Sequence, residues 1–408
     1  MSIAISAAMA IASLSGPSPA KANPETGHMF CTDLKAALTP RLGGADAIFL
    51  RSYDPGAGEA ELPSGLATSA FVYDNALAAI ALVACGDLAR ARVIGNALSR
   101  AALSDRTFAD GRIRNAYRAG PFGEGPPALP GWWDDKAKLW AEDAAQDGTS
   151  TGNVAWAALA LLTLHQATGD PAYLSSAKRL IDWAINNAAC QGDGFCGGFH
   201  GYDPHQVRLT WMSTEHNVDV CAAARWLFRL TGEQKYEQAA KRARMLLDRT
   251  FRGDHFLIGT RPDGSLADDG PLVLDVQLWP WMAIPDAPAA WRKALGFAEA
   301  HLSVDGGFDF NGDRDGVWVE GTAQAAMAYR VNGDSDASRQ LISSLRADRA
   351  PSGLLNATRG PRLTTGLSID PTGTTADFFY YRRPHLGATA WAALAETGWN
   401  PFTGVQMR

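Results

Sequence analysis

Residues that could do acid–base chemistry are concentrated in the segment Ser213-Thr214-Glu215-His216-Asn217-Val218-Asp219, which an apolar, Ala-rich run follows. Ser213 or Thr214 can cap a helix by accepting hydrogen bonds from its free N–H groups. Glu215 then lies in the first turn, and Asp219 lies one turn further along the same face. Two carboxylates, an imidazole and an amide therefore meet at the start of a helix that is otherwise buried. The pattern predicts a site at this helix end; the alternative is a capping box with solvated charges.

Five other predicted helices begin with acidic, amide or aromatic residues of the same kinds, near positions 73, 152, 275, 320 and 385. No single start is a strong motif, but their recurrence on six helices indicates one shared cleft. The residues that we expect to line its mouth are Tyr73, Asp74, Asn153, Glu215, His216, Asn217, Asp219, Asp275, Gln277, Glu320, Thr322, Gln324, Arg382, Arg383 and His385.

Several carboxylates around one cleft suit the breaking of glycosidic bonds. One carboxyl group must be protonated to assist the leaving oxygen, and another must be ionised to activate water or attack carbon. Glu215 is our candidate acid because Asp219, one turn away, would raise its pKa; Glu320 is a second candidate acid. Asp275 or Asp74 could act as the base, since a helix N-terminus favours the carboxylate form. We predict no cofactor.

Tryptophans form the second signal, because several lie in predicted long loops or near helix starts and could stack on the apolar faces of sugar rings. These tryptophans are Trp132, Trp133, Trp140, Trp211, Trp279 and Trp318. The alternative for each of them is packing in the core or within a loop. Our predicted substrate-binding residues are Tyr73, Asn153, His216, Asn217, Asp219, Gln277, Gln324, Trp211, Trp318, Arg383 and His385.

No metal site is predicted. No spacing of Cys and His resembles a zinc site. The series Asp309, Asn311, Asp313, Asp315 and Glu320 has the spacing of a calcium-binding loop, but its sixth position holds Arg314 where such loops need Gly. The alternative is a polar turn before a helix.

Two kinds of helix alternate along the chain. Helices that are apolar nearly all round begin near the six positions named above, and amphipathic helices are predicted at 31–38, 88–103, 171–189, 234–251, 287–302 and 335–346. A helix that is apolar all round is buried on every side. Six inner and six outer helices predict an all-α, (α/α)6 toroid. Its long connections (104–150, 190–212, 252–273, 303–318 and 347–383) all lie on the face where the inner helices begin.

The N-terminus resembles a secretory signal. Residues 1–22 hold an apolar run followed by Ala20-Lys21-Ala22, a small-x-small cleavage site, although a basic n-region is missing. We therefore predict a periplasmic or secreted protein with one catalytic domain over residues 23–408. Cys190 and Cys196 could pair in such a compartment, whereas Cys85 and Cys221 are expected in the core and Cys31 is left over.

Composition excludes two classes of partner. The net charge of −6 gives no basic surface for nucleic acid, and no apolar run in the 408 residues is long enough to span a membrane. The expected partner is an oligo- or polysaccharide substrate, and the oligomeric state is left open.

The helix starts Tyr73-Asp74, Thr214-Glu215-His216-Asn217, Leu274-Asp275-Val276-Gln277 and Glu320-Gly321-Thr322-Ala323-Gln324, set on alternating helices, resemble those of the six-hairpin (α/α)6 glycosidase superfamily. The resemblance covers about residues 65–400 and is architectural, so it identifies no family within the superfamily. It implies a carbohydrate-active enzyme, and by analogy an inverting hydrolase.

Two other functions compete with hydrolysis. The same toroid hosts polysaccharide lyases and sugar epimerases, in which His, Tyr and Arg residues remove a proton and neutralise a carboxylate. The residues that could do so here are His216, His385, Tyr380, Tyr381, Arg382 and Arg383. The non-enzymatic alternative is a carbohydrate-binding or assembly scaffold.

Overall fold

The computed structural model describes residues 28–54, 61–371 and 373–407, and this part of the chain is predominantly helical. The predicted signal peptide lies outside the described residues. The α-helices are α1 (Met29–Leu42), α2 (Val72–Ala84), α3 (Leu88–Leu103), α4 (Ala144–Asp147), α5 (Thr151–Thr168), α6 (Pro171–Trp183), α7 (Thr214–Thr231), α8 (Gln234–Thr250), α9 (Leu274–Ala283), α10 (Lys293–Leu302), α11 (Val319–Val331), α12 (Ser335–Ser344) and α13 (Leu386–Thr397). No helix among them is both long and apolar enough to cross a bilayer.

The inner helices are α2, α5, α7, α9, α11 and α13, and each starts within one residue of its predicted position. They pack against one another in cyclic order, from α2 through α5, α7, α9 and α11 to α13, which packs against α2. Each inner helix also packs against an amphipathic neighbour: α3, α6, α8, α10, α12 or, for α13, α1. Each inner helix thus contacts two neighbouring inner helices and at least one outer helix, and most of its residues are buried.

Tight turns that contain glycine join four inner helices, α2, α5, α7 and α11, to the outer helices that follow them in the chain. Gly169 ends α5 in the left-handed conformation, with φ of 72°, and the Asp170 carboxylate then accepts the N–H of Ala172 at the start of α6. Glycine adopts positive φ without steric cost, and aspartate satisfies a free helix N–H group. These turns keep the outer helix antiparallel to the inner helix and leave the long connections at the opposite end.

Short antiparallel strands, which the sequence pattern did not indicate, lie in the connections between the helices and after α13. The pairs are β1 (Ile48–Phe49) with β4 (Gly120–Pro121), β2 (Ser69–Phe71) with β3 (Ala116–Arg118), β5 (Trp132–Asp134) with β6 (Leu139–Ala141), β7 (Thr149–Ser150) with β8 (Gly198–His200), β8 with β9 (Val207–Leu209), β10 (Ser303–Val304) with β11 (Gly307–Phe308), β12 (Arg362–Thr364) with β13 (Phe379–Tyr381), and β14 (Trp399–Asn400) with β15 (Val405–Gln406). Loops packed against a helix end must pair their backbone polar groups, and these hairpins do so.

The fourth residue of five inner helices fastens a loop to the helix start. In each case a side-chain amide or hydroxyl accepts a backbone N–H from the loop: Asn75 from Leu50, Asn217 from Phe195, Gln277 from Phe256, Thr322 from Phe308, and Thr389 from Leu355. Such bonds satisfy backbone groups that would otherwise be buried without a partner. They bring each long connection over the mouth of the helical core.

Two disulfides are present, Cys31–Cys85 and Cys190–Cys196. The second pair agrees with the sequence expectation. The first corrects it, since Cys85 is not a free core residue and Cys31 is not left over. Cys85 ends α2, and α1 packs beside α2, so a pairing over 54 residues joins two helices that no local pattern connects. Cys221 is free and buried, as predicted.

Candidate active site

The second residue of each inner helix occupies an equivalent place, and four of these residues carry chemistry: Tyr73, Glu215, Asp275 and Glu320. Their mutual proximity is shown by a hydrogen bond from Tyr73 to Glu320 and by the electrostatic effect of Asp275 and Glu320 on Glu215. Together with Asp74, the three acidic residues form what we call the carboxylate cluster: Asp74, Glu215, Asp275 and Glu320.

Glycine occupies the second position of the remaining two inner helices, where a side chain would not fit. A Cβ atom on Gly387 would collide with the Asp74 carboxylate and would lie 2.8 Å from Oε2 of Glu320. A Cβ atom on Gly152 would lie 2.5 Å from Cδ2 of His216. These two glycines therefore leave the room that the acidic and imidazole side chains need.

Glu320 is the most constrained carboxylate of the cluster. Its Oε1 accepts the Tyr73 hydroxyl at 2.7 Å and the Gln324 amide at 3.4 Å, while its Oε2 has no hydrogen-bond partner among the described residues. The side chain is 1% exposed, and burial raises the pKa of Glu320 to about 7. One oxygen is thus held in place by two donors, whereas the other is buried without a hydrogen-bond partner among the described residues.

His385 lies between two carboxylates. Its Nε2 is 3.5 Å from Oδ2 of Asp74, and its Nδ1 is 3.7 Å from Oε2 of Glu320. Nδ1 also accepts the N–H of Ala388 at the start of α13, which assigns the proton of the neutral ring to Nε2. Burial disfavours the imidazolium, but the charges of Asp74 and Glu320 outweigh it and raise the pKa of His385.

Glu215 is half-buried, and Asp219 lies fully buried one turn below it. Burial raises the pKa of Glu215 well above its usual range, and the nearby Asp275 and Glu320 raise it further. Neither carboxylate oxygen of Asp219 has a hydrogen-bond partner among the described residues, and burial followed by the charge of Glu215 raises its pKa as well. Burial and the mutual proximity of the two carboxyl groups therefore favour the protonated form of this pair.

Asp275 differs from the sequence expectation of an ionised base at a helix start. Its Oδ1 accepts the N–H of Val276 at 2.6 Å, which favours the charged form. Burial is the larger effect, however, and it raises the pKa of Asp275 to about 7. The side chain is only 4% exposed, so the helix N-terminus does not compensate for the loss of water.

Tryptophans form the floor of the site, one helical turn below the cluster. Trp156, Trp279 and Trp391 occupy the sixth position of their helices, and their ring centroids lie 5.4–6.0 Å apart. Trp391 donates its indole N–H to the Tyr73 hydroxyl, and Trp279 donates to the Gln324 side-chain oxygen. Because Trp279 is 1% exposed, it supports the site and does not stack on a sugar.

Several predicted binding residues have structural roles instead. Asn217 and Gln277 are fully buried, and their amides are bonded to loop backbone. Gln324 is buried between Trp279 and Glu320. Trp318 is 2% exposed and packs against Phe310 and Tyr380, so its ring face is not open to a sugar. Sequence patterns place these residues at the right helix ends but do not show what covers them.

Other predicted residues lie at the edge of the site. Asn153 is half-buried and donates to Asn115 and Ser150. The ring of half-buried Trp211 lies 5.8 Å from that of His216, whose pKa burial lowers to about 4, so His216 is neutral. Arg383 is half-buried and follows β13.

The structure also adds two tyrosines to the site. The ring of Tyr53 lies 4.6 Å from that of His385, and the ring of Tyr380 lies 6.1 Å from it. Burial, followed by the charges of Asp74 for Tyr53 and of Glu320 for Tyr380, raises both pKa values. From the sequence, Tyr380 was predicted only as a residue of the lyase or epimerase alternative. Tyr53 precedes a Pro/Gly-rich connector, where no helical pattern could have indicated it.

Two groups of side chains in the described part of the chain could hold a metal ion: Asp74, Glu320 and His385, and Asp309, Asp313 and Asp315. The ligand atoms within each group lie within 4.8 Å of one another. Glu320 belongs to the first group, so the second lacks the final ligand of a calcium-binding loop. The absence of a metal therefore stays a prediction.

Solved structures of similar fold are carbohydrate-active enzymes by their descriptions. A glycosidase aligns with a TM-score of 0.61 and 14% identity, covering 90% of this chain and 95% of its own. A GH76 alpha-mannanase from Bacteroides thetaiotaomicron aligns with a TM-score of 0.55 and 12% identity, covering 91% and 96%. A sugar epimerase from a ruminal bacterium aligns with a TM-score of 0.56 and 14% identity, covering 90% and 98%.

No protein-family model matches the chain, and no curated protein matches its sequence. The structural likeness shows that the chain shares the fold of these solved enzymes, in agreement with the six-hairpin resemblance of its helix starts.

Proposed function

We propose that this protein is a glycoside hydrolase that cleaves an oligo- or polysaccharide by general acid/base catalysis. The observation that carries the proposal is the convergence of Glu215, Asp275 and Glu320 from the second position of three successive inner helices. Hydrolysis of a glycosidic bond needs two carboxyl groups in opposite protonation states. Buried carboxyls with raised pKa values beside a hydrogen-bonded carboxylate can supply both states near neutral pH.

Glu215 is the proposed acid. It is half-buried, so a leaving oxygen can reach it, and burial together with Asp275 and Glu320 keeps its pKa raised. A protonated carboxyl in this position can give its proton to the departing sugar oxygen. Asp219 lies directly below and resists the loss of that proton, because a second buried negative charge would be unfavourable.

Glu320 is the proposed base, whereas its sequence position made it the second candidate acid. Two donors, the Tyr73 hydroxyl and the Gln324 amide, bind one of its oxygens and so favour the ionised form. The other oxygen is buried without a hydrogen-bond partner among the described residues, and its proposed role is to orient and deprotonate a water. Attack by water activated in this way inverts the anomeric configuration, so we propose an inverting enzyme. The proposed role of Asp74 is to position His385. Burial and then the negative charge of Asp275 raise the pKa of Glu215 and so help to keep it protonated.

The cyclic packing of the inner helices supports a closed (α/α)6 toroid as the frame of this site. The two disulfides support the proposal that the chain is exported, because disulfides persist in oxidising compartments. The periplasm or the outside of the cell is therefore the proposed location, with residues 23–408 as the catalytic domain.

An epimerase or lyase is the second candidate, favoured by the imidazole of His385 between Tyr53 and Tyr380. Such enzymes remove a proton from carbon, and a histidine with tyrosine neighbours can do so. The likeness of the fold to a sugar epimerase supports this candidate to the same degree as the glycosidase likeness supports hydrolysis.

The test is sugar release by the purified protein from neutral and acidic polysaccharides, measured as new reducing ends, with Glu215→Gln and Glu320→Gln in parallel. We expect release by the wild type and a loss of at least about 100-fold in each variant. Glu299→Gln is the matched control, because Glu299 is exposed on the outer helix α10 and its carboxylate accepts the Tyr329 hydroxyl. An ultraviolet-absorbing product would identify a lyase, and an isomerised sugar with no new reducing end would identify an epimerase. Binding without any product would favour a scaffold.

A further inference from the structure

Two tryptophans stand exposed on one hairpin, which we call the tryptophan hairpin, residues 132–141. Trp133 is 54% exposed and Trp140 is 43% exposed. They are directly opposite each other in the antiparallel pair of β5 and β6, so both side chains lie on the same face. Exposing the apolar surface of an indole ring to water is unfavourable. Two exposed tryptophans on one short hairpin therefore indicate a ligand-binding surface.

The hairpin holds this face in a defined shape. The Asp134 carboxylate accepts the N–H groups of Lys136 and Ala137 and so closes the turn. Gly131, beside the hairpin, provides a seat for the Trp140 ring, since a Cβ atom there would lie 2.5 Å from the indole nitrogen. The Arg118 guanidinium lies 4.6 Å from the centroid of Trp140. The rings are therefore presented on a rigid support, which reduces the entropy lost when a ligand binds.

The tryptophan hairpin is continuous with the candidate active site. The Thr68 hydroxyl donates to the carbonyl of Gly131, and the ring of Trp132 packs against Gly65. Thr68 immediately precedes β2, which leads directly into α2 and Tyr73. Five residues separate Thr68 from Tyr73, a span of at most about 18 Å. A glycan bound at the carboxylate cluster would therefore need to extend over at most about this distance to reach the hairpin's anchor at Thr68.

We propose that Trp133 and Trp140 bind sugar units of a glycan chain at a distance from the bond that is cleaved, so that the preferred substrate is a polysaccharide. This rests on the proposed function. A sugar ring has an apolar face that stacks on an indole and hydroxyl groups at its edge that bind polar side chains. The apolar faces here are those of Trp133 and Trp140, and the Arg118 guanidinium, 4.6 Å from the centroid of the Trp140 ring, can donate to sugar hydroxyl groups. A protein or lipid surface would instead be expected to need a wider apolar patch.

The first test is direct binding by affinity gel electrophoresis in an α-mannan, soluble starch, a mixed-linkage β-glucan and a polyuronate. We expect at least one glycan to retard the wild type, and Trp133→Ala with Trp140→Ala to weaken that binding by about tenfold. Leu139→Ala is the matched control, because Leu139 is 51% exposed on the opposite face of the same hairpin. Phenylalanine at both tryptophan positions should restore part of the binding. Retardation by none of the four glycans, or equal retardation of wild type and double variant, would overturn the proposal.

The second test separates this proposal from the proposed hydrolysis. On the glycan that is cleaved, the double variant should lose about tenfold in kcat/KM for long chains and keep the wild-type value for the shortest cleaved fragment. An equal loss on both would contradict remote binding. Binding that depends on the tryptophans without any cleavage would uphold glycan binding by the hairpin and reject the proposed hydrolysis. A change from dimer to monomer in the double variant, measured by sedimentation, would show that the rings pack against a second copy, and the proposal would then be wrong.

Discussion

Replacing Tyr73 by phenylalanine should shift the protonation of Glu320 by an amount that the structure sets. The Tyr73 hydroxyl donates to Oε1 of Glu320 over 2.7 Å, and the carboxylate is 1% exposed. A hydrogen bond to a buried charged group contributes about 1.5–3 kcal/mol. This bond favours the ionised form, so its loss should raise the pKa of Glu320 by roughly 1–2 units from its value of about 7.

The assay is the pH dependence of kcat/KM for Tyr73→Phe beside the wild type. If Glu320 is the base, the limb at low pH should move upward by roughly 1–2 units, because the carboxylate forms only at higher pH. If Glu320 is the acid, the limb at high pH should move upward instead. The direction of the effect therefore also assigns the role. Tyr202→Phe is the control, since Tyr202 is an exposed loop residue.

An unchanged pH profile in a folded Tyr73→Phe enzyme would refute the reasoning, because it would mean that Glu320 controls neither limb. The variant also leaves the Trp391 indole N–H without its acceptor, which costs about 1–3 kcal/mol of stability. Thermal unfolding of the variant, measured in parallel, separates this loss from the effect on catalysis. A lower melting temperature with a shifted profile is the expected combination.

Three further predictions concern the same framework. Gly387→Ala should reduce kcat/KM by at least about 100-fold in a folded protein, because the added methyl displaces the two carboxylates beside it. Stability in urea should fall as pH rises from 5 to 8, because Glu320 and Asp275 keep their protons up to about pH 7 in the folded state and lose them at lower pH when unfolded. Glu320→Gln should recover roughly 3 kcal/mol at pH 8, and no gain would contradict the raised pKa of Glu320. Cys31→Ser, which removes the disulfide to Cys85, should lower the unfolding free energy by about 2–4 kcal/mol. A reductant should then lower the stability of this variant less than that of the wild type.

Helix positions were the most predictable feature, because they depend on local patterns. The apolar runs and the polar first turns placed all six inner helix starts within one residue. Glu215, Asp275 and Glu320 could be located from the same local patterns, because each is the second residue of an inner helix whose first turn lies at the mouth of the core. The short strands were missed because they are too brief and irregular to give an alternating pattern.

The sequence by itself determined which helices are buried and which carboxylates stand at their starts, since helix periodicity and capping act over a few residues. Only the tertiary structure decided which polar groups face the cleft. Asn217, like Glu215, stands in the first turn of α7. Its side chain, however, accepts the N–H of Phe195, in a loop that lies 22 residues earlier in the chain. Likewise Tyr53 reaches His385, and Cys31 reaches Cys85, through packing between distant segments. Such contacts depend on how the whole chain closes, which no local spacing records.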